Sequence, residues 1–502
     1  MIIDGESLNL DSIYNVCFLG EKVEISKSAL DKIRSGRESI QRIMDSGRSV
    51  YGVNTGYGSL LNVKISREDT EKLQLNLIRS HSAGSGRPLS REKVRAMMLV
   101  RANSLCRGYS GVSLDLVKKI LEFLNLDICP FVPEYGSVGA SGDLAPLAHL
   151  CLSLIGEGEI MVDGKRKDAG EILVSKGISP YRLKEKEAIS FINGTSAITA
   201  IASVELIRAK WNLSMAGLSF MPVFEALNGT SKAFSPWALE TRKQPGQSLI
   251  GGRMHAIMES SQRVQEQNRI KVQDAYTLRC TPQVYGAVYD TIKYVESVIV
   301  AEMNSTTDNP LVNGEEYISC GNFHGEPVAL VSDFLAIALT DLGNMIERRL
   351  ARLTDTTLSG LDPFLVKNSG LNSGYMIGQY AAAALCNRNK ILVYPGSADT
   401  IPTCANQEDH VSMGANSALK LEEINSNIKR IIATEFVMGI QAMDLSPNGY
   451  SRLSAELHDI IRKKIDFLQE DRAIYRDFEK MELLMDTDKL KEIASGSLNF
   501  WN

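Results

Sequence analysis

The sequence predicts a mainly α-helical protein, a large bundle of long helices with a smaller mixed region at the N-terminus. Long stretches carry apolar residues at steps of three and four, the spacing that turns one face of a helix towards a core. Prolines number only 15 in 502 residues and cluster between these stretches. The first 60 residues are mixed and include short strand-like pieces, such as 23–25.

The same spacing locates individual helices. The pattern is helical from about 65 to 128, a glycine-punctuated loop follows at 130–143, and an apolar helix runs from Ala145 to about Ile155. Further along the chain, helices are expected at 196–225, 256–278, 283–303, 328–354, 375–393 and 410–443. We therefore expect three regions: a mixed region at 1–195, a central long-helix bundle and oligomer core at 196–443, and a C-terminal helical region at 444–502.

The segment 328–354 predicts a helix with apolar residues on more than one face. Leu330, Ile337 and Leu339 lie outside its main apolar stripe, which indicates burial nearly all round. Helices of this kind need partners, so we expect the chain to form a homo-oligomer.

The bulk composition excludes several classes of partner. The 55 basic and 60 acidic residues give a net charge of −5, so no basic field favours nucleic acid or an anionic membrane. The first 20 residues lack the pattern of a signal peptide, and no window of about 18 uninterrupted apolar residues predicts a membrane span. The eight cysteines are scattered without a CxxC pair, as in a reduced cytoplasmic protein.

The most informative stretch is the loop Glu-Tyr-Gly-Ser-Val-Gly-Ala-Ser-Gly-Asp at 134–143. Its glycines do not follow the spacing of a dinucleotide fingerprint, and no Lys-Ser/Thr pair of a P-loop comes after them. Asp143 at the start of the next helix would also repel a phosphate. Taken alone, the loop favours a tight helix-capping turn.

Taken with the rest of the chain, this loop resembles the signature of the histidine, phenylalanine and tyrosine ammonia-lyase family. In that family a methylidene-imidazolone group (MIO) forms from an internal Ala-Ser-Gly. Eight other segments resemble family motifs in the same order along the chain: Tyr51–Gly58, Leu77–Gly84, Phe191–Thr195, Gln273–Gln283, Asn304–Pro310, Gly321–Pro327, Leu371–Met376 and Ala405–Met413. The resemblance implies the ammonia-lyase (fumarase/aspartase-like) architecture and an electrophile built from Ala140, Ser141 and Gly142, with no metal or nucleotide.

The chemistry of this group suits these three residues. The amide nitrogen of Gly142 must bend onto the carbonyl carbon of Ala140, and only a residue without Cβ tolerates that compression. Loss of one water closes the ring, and dehydration of Ser141 leaves an exocyclic methylidene. The product is an electrophile that the twenty side chains do not provide.

The resemblance also implies roles for other side chains. Tyr51 and Tyr276 match the two active-site tyrosines of the family, one of which acts as the base, and the glycines that follow Tyr51 suit a lid loop. Arg279 matches the arginine that pairs with the substrate carboxylate. Asn193 matches an asparagine that hydrogen-bonds the MIO group or the substrate amine. The matching pocket-lining positions are Gln273 and Phe323.

Three positions favour histidine as the substrate. Ser80 and His81 match the Ser-His pair of the histidine enzymes, although some tyrosine 2,3-aminomutases resemble the chain here as well. Glu408 can accept a hydrogen bond from an imidazole N–H, which phenyl and phenol rings lack. Ser196 and Gly325 depart from the histidine members and resemble the tyrosine members.

The resemblance therefore implies an ammonia-lyase that converts L-histidine to trans-urocanate in histidine catabolism. Tyrosine ammonia-lyase and tyrosine 2,3-aminomutase are the alternatives, and a non-catalytic structural homologue is the remote one. A metal site at 408–410 is disfavoured, because the chain has no HExxH motif and only six histidines. The family forms tetramers, so we expect a homotetramer whose active sites are shared between subunits.

Overall fold

A computed structural model describes residues 1–45, 69–265 and 271–501 of the chain. These residues form two compact units, each assembled from three stretches of sequence. Unit 1 comprises Met1–Ile207, Val295–Asp333 and Pro395–Leu421, and unit 2 comprises Arg208–Tyr294, Phe334–Tyr394 and Glu422–Asn502. The three consecutive regions expected from the sequence are a different division and stay a prediction.

The described chain is mainly helical, as the sequence predicts. Its α-helices are, in order, α1 Leu10–Cys17, α2 Lys27–Asp45, α3 Thr70–His81, α4 Arg91–Cys106, α5 Leu114–Asn125, α6 Leu144–Leu154, α7 Ala169–Ser175, α8 Glu187–Ile192, α9 Ser196–Ala226, α10 Pro236–Glu240, α11 Pro245–Met258, α12 Tyr276–Arg279, α13 Thr281–Met303, α14 Glu326–Thr354, α15 Thr356–Ser359, α16 Met376–Leu392, α17 Gly414–Asp444, α18 Arg452–Arg462, α19 Tyr475–Met485 and α20 Asp488–Ile493.

The strands are short and belong to unit 1. They are β1 Ile2–Ile3, β2 Glu24–Ile25, β3 Ser85–Pro88, β4 Cys129–Pro130, β5 Pro133–Tyr135, β6 Glu159–Val162, β7 Lys165–Asp168, β8 Leu311–Asn313 and β9 Glu316–Ile318. Strand β1 pairs with β2 in parallel, β3 with β5 and β8 with β9 are antiparallel pairs, and β4, β6 and β7 form an antiparallel sheet in that order. The β3–β5 pair holds the start of the glycine loop.

The centre of unit 1 is helix α4, in which every residue from Lys93 to Cys106 is buried. Its buried charged side chains have hydrogen-bond or ion-pair partners, because an unpaired charge in a core is costly. Lys93 forms an ion pair of 3.0 Å with Glu205 of α9, and both side chains are fully buried. Arg101 donates to Ser190 O and Ser196 Oγ, on either side of Gly194.

The sequence predicts most helices but misplaces two. The helix expected at 256–278 is wrong: α11 ends at Met258, where Gln262 N–H bonds Gly449 O at 2.8 Å and Ser261 Oγ bonds Glu225 at 3.0 Å. These long-range hydrogen bonds replace the helical ones. The helix expected from 410 begins only at Gly414, because the residues before it bond the glycine loop.

Helix α14 also differs from the expectation of burial nearly all round. Leu339 is fully buried, but Leu330 and Ile337 are 40% and 52% exposed in the single chain. Among the described helices, α14 alone is long and apolar enough to cross a membrane, and 67% of its most apolar window is buried inside the fold. That degree of burial is typical of a core helix in a soluble protein.

Candidate active site

The glycine loop is held by a backbone contact between Gly142 and Gly194, which form a parallel β-bridge. The next amide, Asp143 N–H, donates to Gly194 O at 2.8 Å. Gly142 has φ of +72°, and a Cβ built there would lie 2.3 Å from Gly194 O. Backbone cannot move aside as a flexible side chain can, so this position requires glycine.

The carboxylate of Asp143 joins α6 to α9. It is fully buried and accepts hydrogen bonds from the amides of Ala197 and Ile198, at 2.9 and 2.8 Å, and from Ser137 Oγ at 2.8 Å. It therefore caps the first turn of α9, where unpaired amides favour a negative charge. Burial nevertheless raises the pKa of Asp143 to about 6, although these hydrogen bonds lower it.

A second segment, 411–413, holds the loop from another side. Met413 N–H donates to Val138 O at 2.9 Å, and Ser412 Oγ donates to Gly139 O at 3.2 Å. Ala140 is 5% exposed and packs against Val411 and Met413. Ser141 thus lies between two residues whose positions are fixed, Ala140 by packing and Gly142 by its backbone contact.

Glu408 faces Ser141. Ser141 Oγ donates to Glu408 Oε1 at 2.5 Å, and Thr403 Oγ1 donates to Oε2 of the same carboxylate at 2.5 Å. Both carboxylate oxygens therefore have a hydroxyl donor, which offsets the loss of water around a half-buried charge. The two sequence-predicted positions, 141 and 408, therefore lie within hydrogen-bonding distance of each other.

His81 and Ser80 belong to the same unit. His81 ends α3, and its Nδ1 lies 3.0 Å from Ser80 Oγ. Partial burial lowers the pKa of His81, while a hydrogen bond involving Leu77 and the nearby charge of Glu408 raise it. Because the net direction is downward, the imidazole is mainly neutral at pH 7.

Asn193 precedes the glycine bridge and is 4% exposed. Its Oδ1 is buried, and no other group in the described part of the chain hydrogen-bonds it. A buried acceptor without a partner costs free energy unless a ligand or a modified group supplies a donor. This atom therefore fits a role towards a bound group.

The remaining predicted residues of the described chain lie elsewhere. Phe323 is half-buried in the loop before α14, in unit 1. Gln273, Tyr276 and Arg279 belong to unit 2, and Tyr276 begins the short helix α12. The Arg279 guanidinium carbon lies 4.7 Å from the centre of the Tyr276 ring. Tyr276 is 71% exposed. Tyr51 and the lid loop lie outside the described residues.

Helix α12 is anchored from below by Arg349. Its guanidinium donates to Thr277 O at 3.3 Å, to Glu435 at 2.5 Å and to Tyr285 Oη at 2.5 Å, and its side chain is fully buried. Thr277 Oγ1 in turn donates to Met345 O at 2.8 Å. This network fixes the turn from which Tyr276 and Arg279 project.

Two histidines approach each other near residues 408–410. His410 Nδ1 lies 3.4 Å from His324 Nε2, and the described residues place no third ligand beside that pair. Within residues 1–45, 69–265 and 271–501, no group of three or more His, Cys, Asp or Glu side chains is arranged to hold a metal ion.

The sequence did not indicate a role for Thr403 or Arg349. For Asp143 it predicted only a position at the start of a helix. The sequence could have indicated a buried role for Asp143. It follows Ala-Ser-Gly directly and precedes an apolar run, in which a carboxylate has no evident role towards solvent. Thr403 and Arg349 carry no such signal. Thr403 contacts a residue across a turn, and Arg349 contacts residues distant in sequence. A threonine in a loop and an arginine in a helix are both common, so neither residue type indicates such a contact.

A match to a family of lyases accompanies the helical fold and the loop that presents Ser141 to a carboxylate, and it defines the chain as an ammonia-lyase. The chain belongs to the aromatic amino acid lyase family, which it matches over residues 8–463.

Relatives span the whole chain. A probable histidine ammonia-lyase of Thermoplasma volcanium is 54% identical over 98% of this chain and 99% of the relative. The crystal structure of histidine ammonia-lyase from Trypanosoma cruzi is similar with a TM-score of 0.91, at 39% identity over 99% of this chain and 94% of that one. Tyrosine aminomutase from Streptomyces globisporus gives a TM-score of 0.95 at 33% identity, over 99% and 98%.

The requirement for glycine at 142 can be tested by Gly142→Ala. The methyl group would meet the backbone of Gly194, so we expect a loss of about 1 kcal/mol for the left-handed backbone and a further 1–3 kcal/mol for the clash. Gly164→Ala is a matched control, since Gly164 has φ of +74° and open space around it. Unfolding by urea measures both. Equal losses in the two variants would contradict the clash.

Proposed function

We propose that this chain catalyses the elimination of ammonia from L-histidine, giving trans-urocanate. The observation that carries the proposal is the 2.5 Å hydrogen bond between Ser141 Oγ and Glu408 Oε1. When Ser141 loses its hydroxyl, Oε1 loses this donor, and an imidazole N–H of the substrate can replace it. The identity of 54% to a probable histidine ammonia-lyase supports the same substrate.

The residues at 140–142 fit an MIO group. Ala140 is held by packing, Gly142 has no Cβ to oppose the compression of ring closure, and the orphaned Oδ1 of Asn193 lies one residue from the Gly194 bridge. The group would supply an electrophilic carbon. We infer that it forms from Ala140, Ser141 and Gly142 of this chain.

The other predicted residues then bind and orient the substrate or move a proton. Glu408 and His81 receive the imidazole ring, with Ser80 fixing the His81 imidazole by its hydrogen bond. Arg279 binds the carboxylate, for which its planar guanidinium offers a bidentate grip. Tyr51 or Tyr276 removes the β-proton, Asn193 bonds the amine or the MIO group, and Gln273 and Phe323 line the pocket.

Tyrosine ammonia-lyase or tyrosine 2,3-aminomutase is the second candidate. The structural similarity to a tyrosine aminomutase, with a TM-score of 0.95, favours it, as do Ser196 and Gly325. Neither phenyl nor phenol offers the N–H that Glu408 would accept. A phenyl ring would leave Glu408 Oε1 without a donor in a closed site, which is costly, so Glu408 disfavours phenylalanine outright, whereas a phenol offers a hydroxyl in place of the N–H.

We further propose a cytoplasmic homotetramer with active sites shared between subunits. All eight cysteines are free thiols, which suits a reducing compartment. Several large apolar side chains of α14 and α16 are 40–60% exposed in the single chain: Leu330, Phe334, Ile337, Ile377 and Tyr380. A second copy would cover them, and closed two-fold symmetry is the usual arrangement.

The electrophile can be tested by intact mass. The purified protein should be lighter than its sequence by two water molecules and should absorb in the near ultraviolet beyond tyrosine and tryptophan. Ser141→Ala should fold, lack the absorbance and be nearly inactive. An unmodified mass together with full activity would rule out MIO.

Substrate choice can be tested with Glu408→Gln. The variant should lower kcat/KM for L-histidine roughly 5- to 150-fold, the effect of about 1–3 kcal/mol of lost hydrogen bonding, with little change in thermal midpoint. Glu423→Gln, in a half-exposed pair with Arg388, is the control and should retain the wild-type rate. Faster reaction of L-tyrosine, or accumulation of β-tyrosine, would favour the second candidate.

Shared sites can be tested by complementation. If Ser141 and Arg279 of one active site come from different subunits, mixing inactive Ser141→Ala with inactive Arg279→Met after mild dissociation should restore part of the activity. Ser141→Ala mixed with Ser141→Gly serves as the negative control. A fully active monomer in sedimentation, or a mixture without recovered activity, counts against the shared site.

A further inference from the structure

The segment 403–408 is a closed loop whose two ends are tied together. Thr403 and Glu408 form an antiparallel β-bridge, with Thr403 N–H donating to Glu408 O at 2.9 Å and Glu408 N–H to Thr403 O at 3.3 Å. The side chains of the same two residues bond directly, Thr403 Oγ1 to Glu408 Oε2 at 2.5 Å. Three hydrogen bonds thus join one pair of residues.

The backbone between them is strained. Cys404, Ala405 and Asn406 have φ of +49°, +52° and +67°, three successive residues in the left-handed region. Asparagine adopts this conformation readily, but cysteine and alanine do not, because their Cβ approaches the carbonyl. Strain of this kind persists only where the surroundings impose it, and it concentrates at sites that need a fixed geometry.

The tie determines how the Glu408 carboxylate is oriented. With Oε2 held by Thr403, the other oxygen, Oε1, points to Ser141 Oγ at 2.5 Å. Without the Thr403 hydroxyl, the terminal torsion of the glutamate would be free to rotate, since that torsion is broad. A fixed acceptor binds a ring N–H without first losing this rotational freedom.

From this geometry we propose that Thr403 is a positioning residue, which acts through Glu408 and determines the preference for an imidazole ring over a phenyl ring. The inference rests on the proposed function, because it takes Glu408 Oε1 as the acceptor of the ring N–H. Thr403 does not touch the reacting atoms in this scheme. Its hydroxyl is the part that acts, and its methyl group contributes only packing.

The test compares two inhibitors that share an acrylate and differ in the ring. trans-Urocanate carries an imidazole N–H, and trans-cinnamate carries a phenyl ring without one. Thr403→Val keeps the shape and removes the hydroxyl, so the inhibition constant of urocanate should rise about tenfold, as expected for one lost hydrogen bond to a charged group, while that of cinnamate changes less than about twofold. Thr403→Ser should restore the urocanate constant to within about threefold of the wild type.

Controls separate positioning from damage. Thr241→Val, at an exposed threonine that bonds only its own helix turn through Oγ1, should leave both constants unchanged. In the Glu408→Gln background, Thr403→Val should weaken urocanate much less than in the wild type, because residues that act through one another are not additive. If Thr403→Val does not fold, Thr403→Ala compared with Thr403→Ser gives the same contrast.

The outcomes are distinct. Equal weakening of urocanate and cinnamate, an unchanged urocanate constant, or full additivity with Glu408→Gln would each overturn the positioning role. Failure of the wild type to release ammonia from L-histidine would instead overturn the proposed function. In that case, calorimetric binding of urocanate and cinnamate to wild type and Thr403→Val still tests whether Thr403 sets the ring preference.

Discussion

The backbone contact between Gly142 and Gly194 is the constraint on which the unit 1 part of the site depends. It brings the start of α6 against the start of α9, and the Asp143 carboxylate then caps α9 through two amides. Ser141 and Asn193 each precede one of the two glycines. The contact between the two glycines therefore positions the side chains of Ser141 and Asn193. This contact leaves no space for a Cβ at Gly142.

Burying charge around this contact is costly, and the charges present have partners. Burial lowers the pKa of Arg101, and it lowers that of Lys186 to about 8, although Asp308 raises both. Lys186 bonds Ser110 O and Ser190 Oγ at 2.8 and 2.7 Å. Lys186 also forms a buried ion pair of 3.7 Å with Asp308, and buried ion pairs add little stability compared with apolar packing.

The structure gives packing reasons for the two residues that resemble the tyrosine enzymes. A Cβ at Gly325 would lie 2.6 Å from Ile198 Cδ1 and 2.9 Å from Ser412 Oγ, so glycine suits the space beneath the loop. Ser196 Oγ accepts a hydrogen bond from the buried Arg101 at 3.4 Å. Both positions therefore follow the packing under the loop, whereas Glu408 faces the reactive segment itself.

Sequence by itself determined the long apolar helices, such as α9, α13 and α14, and the position of the reactive loop. These depend on local spacing and on an ordered set of motifs. Tertiary structure alone decided where α11 ends, that Thr403 orients Glu408, and that Asp143 caps another helix. Each of these follows from hydrogen bonds between residues far apart in the chain or across a strained turn, and periodicity carries no information about such partners.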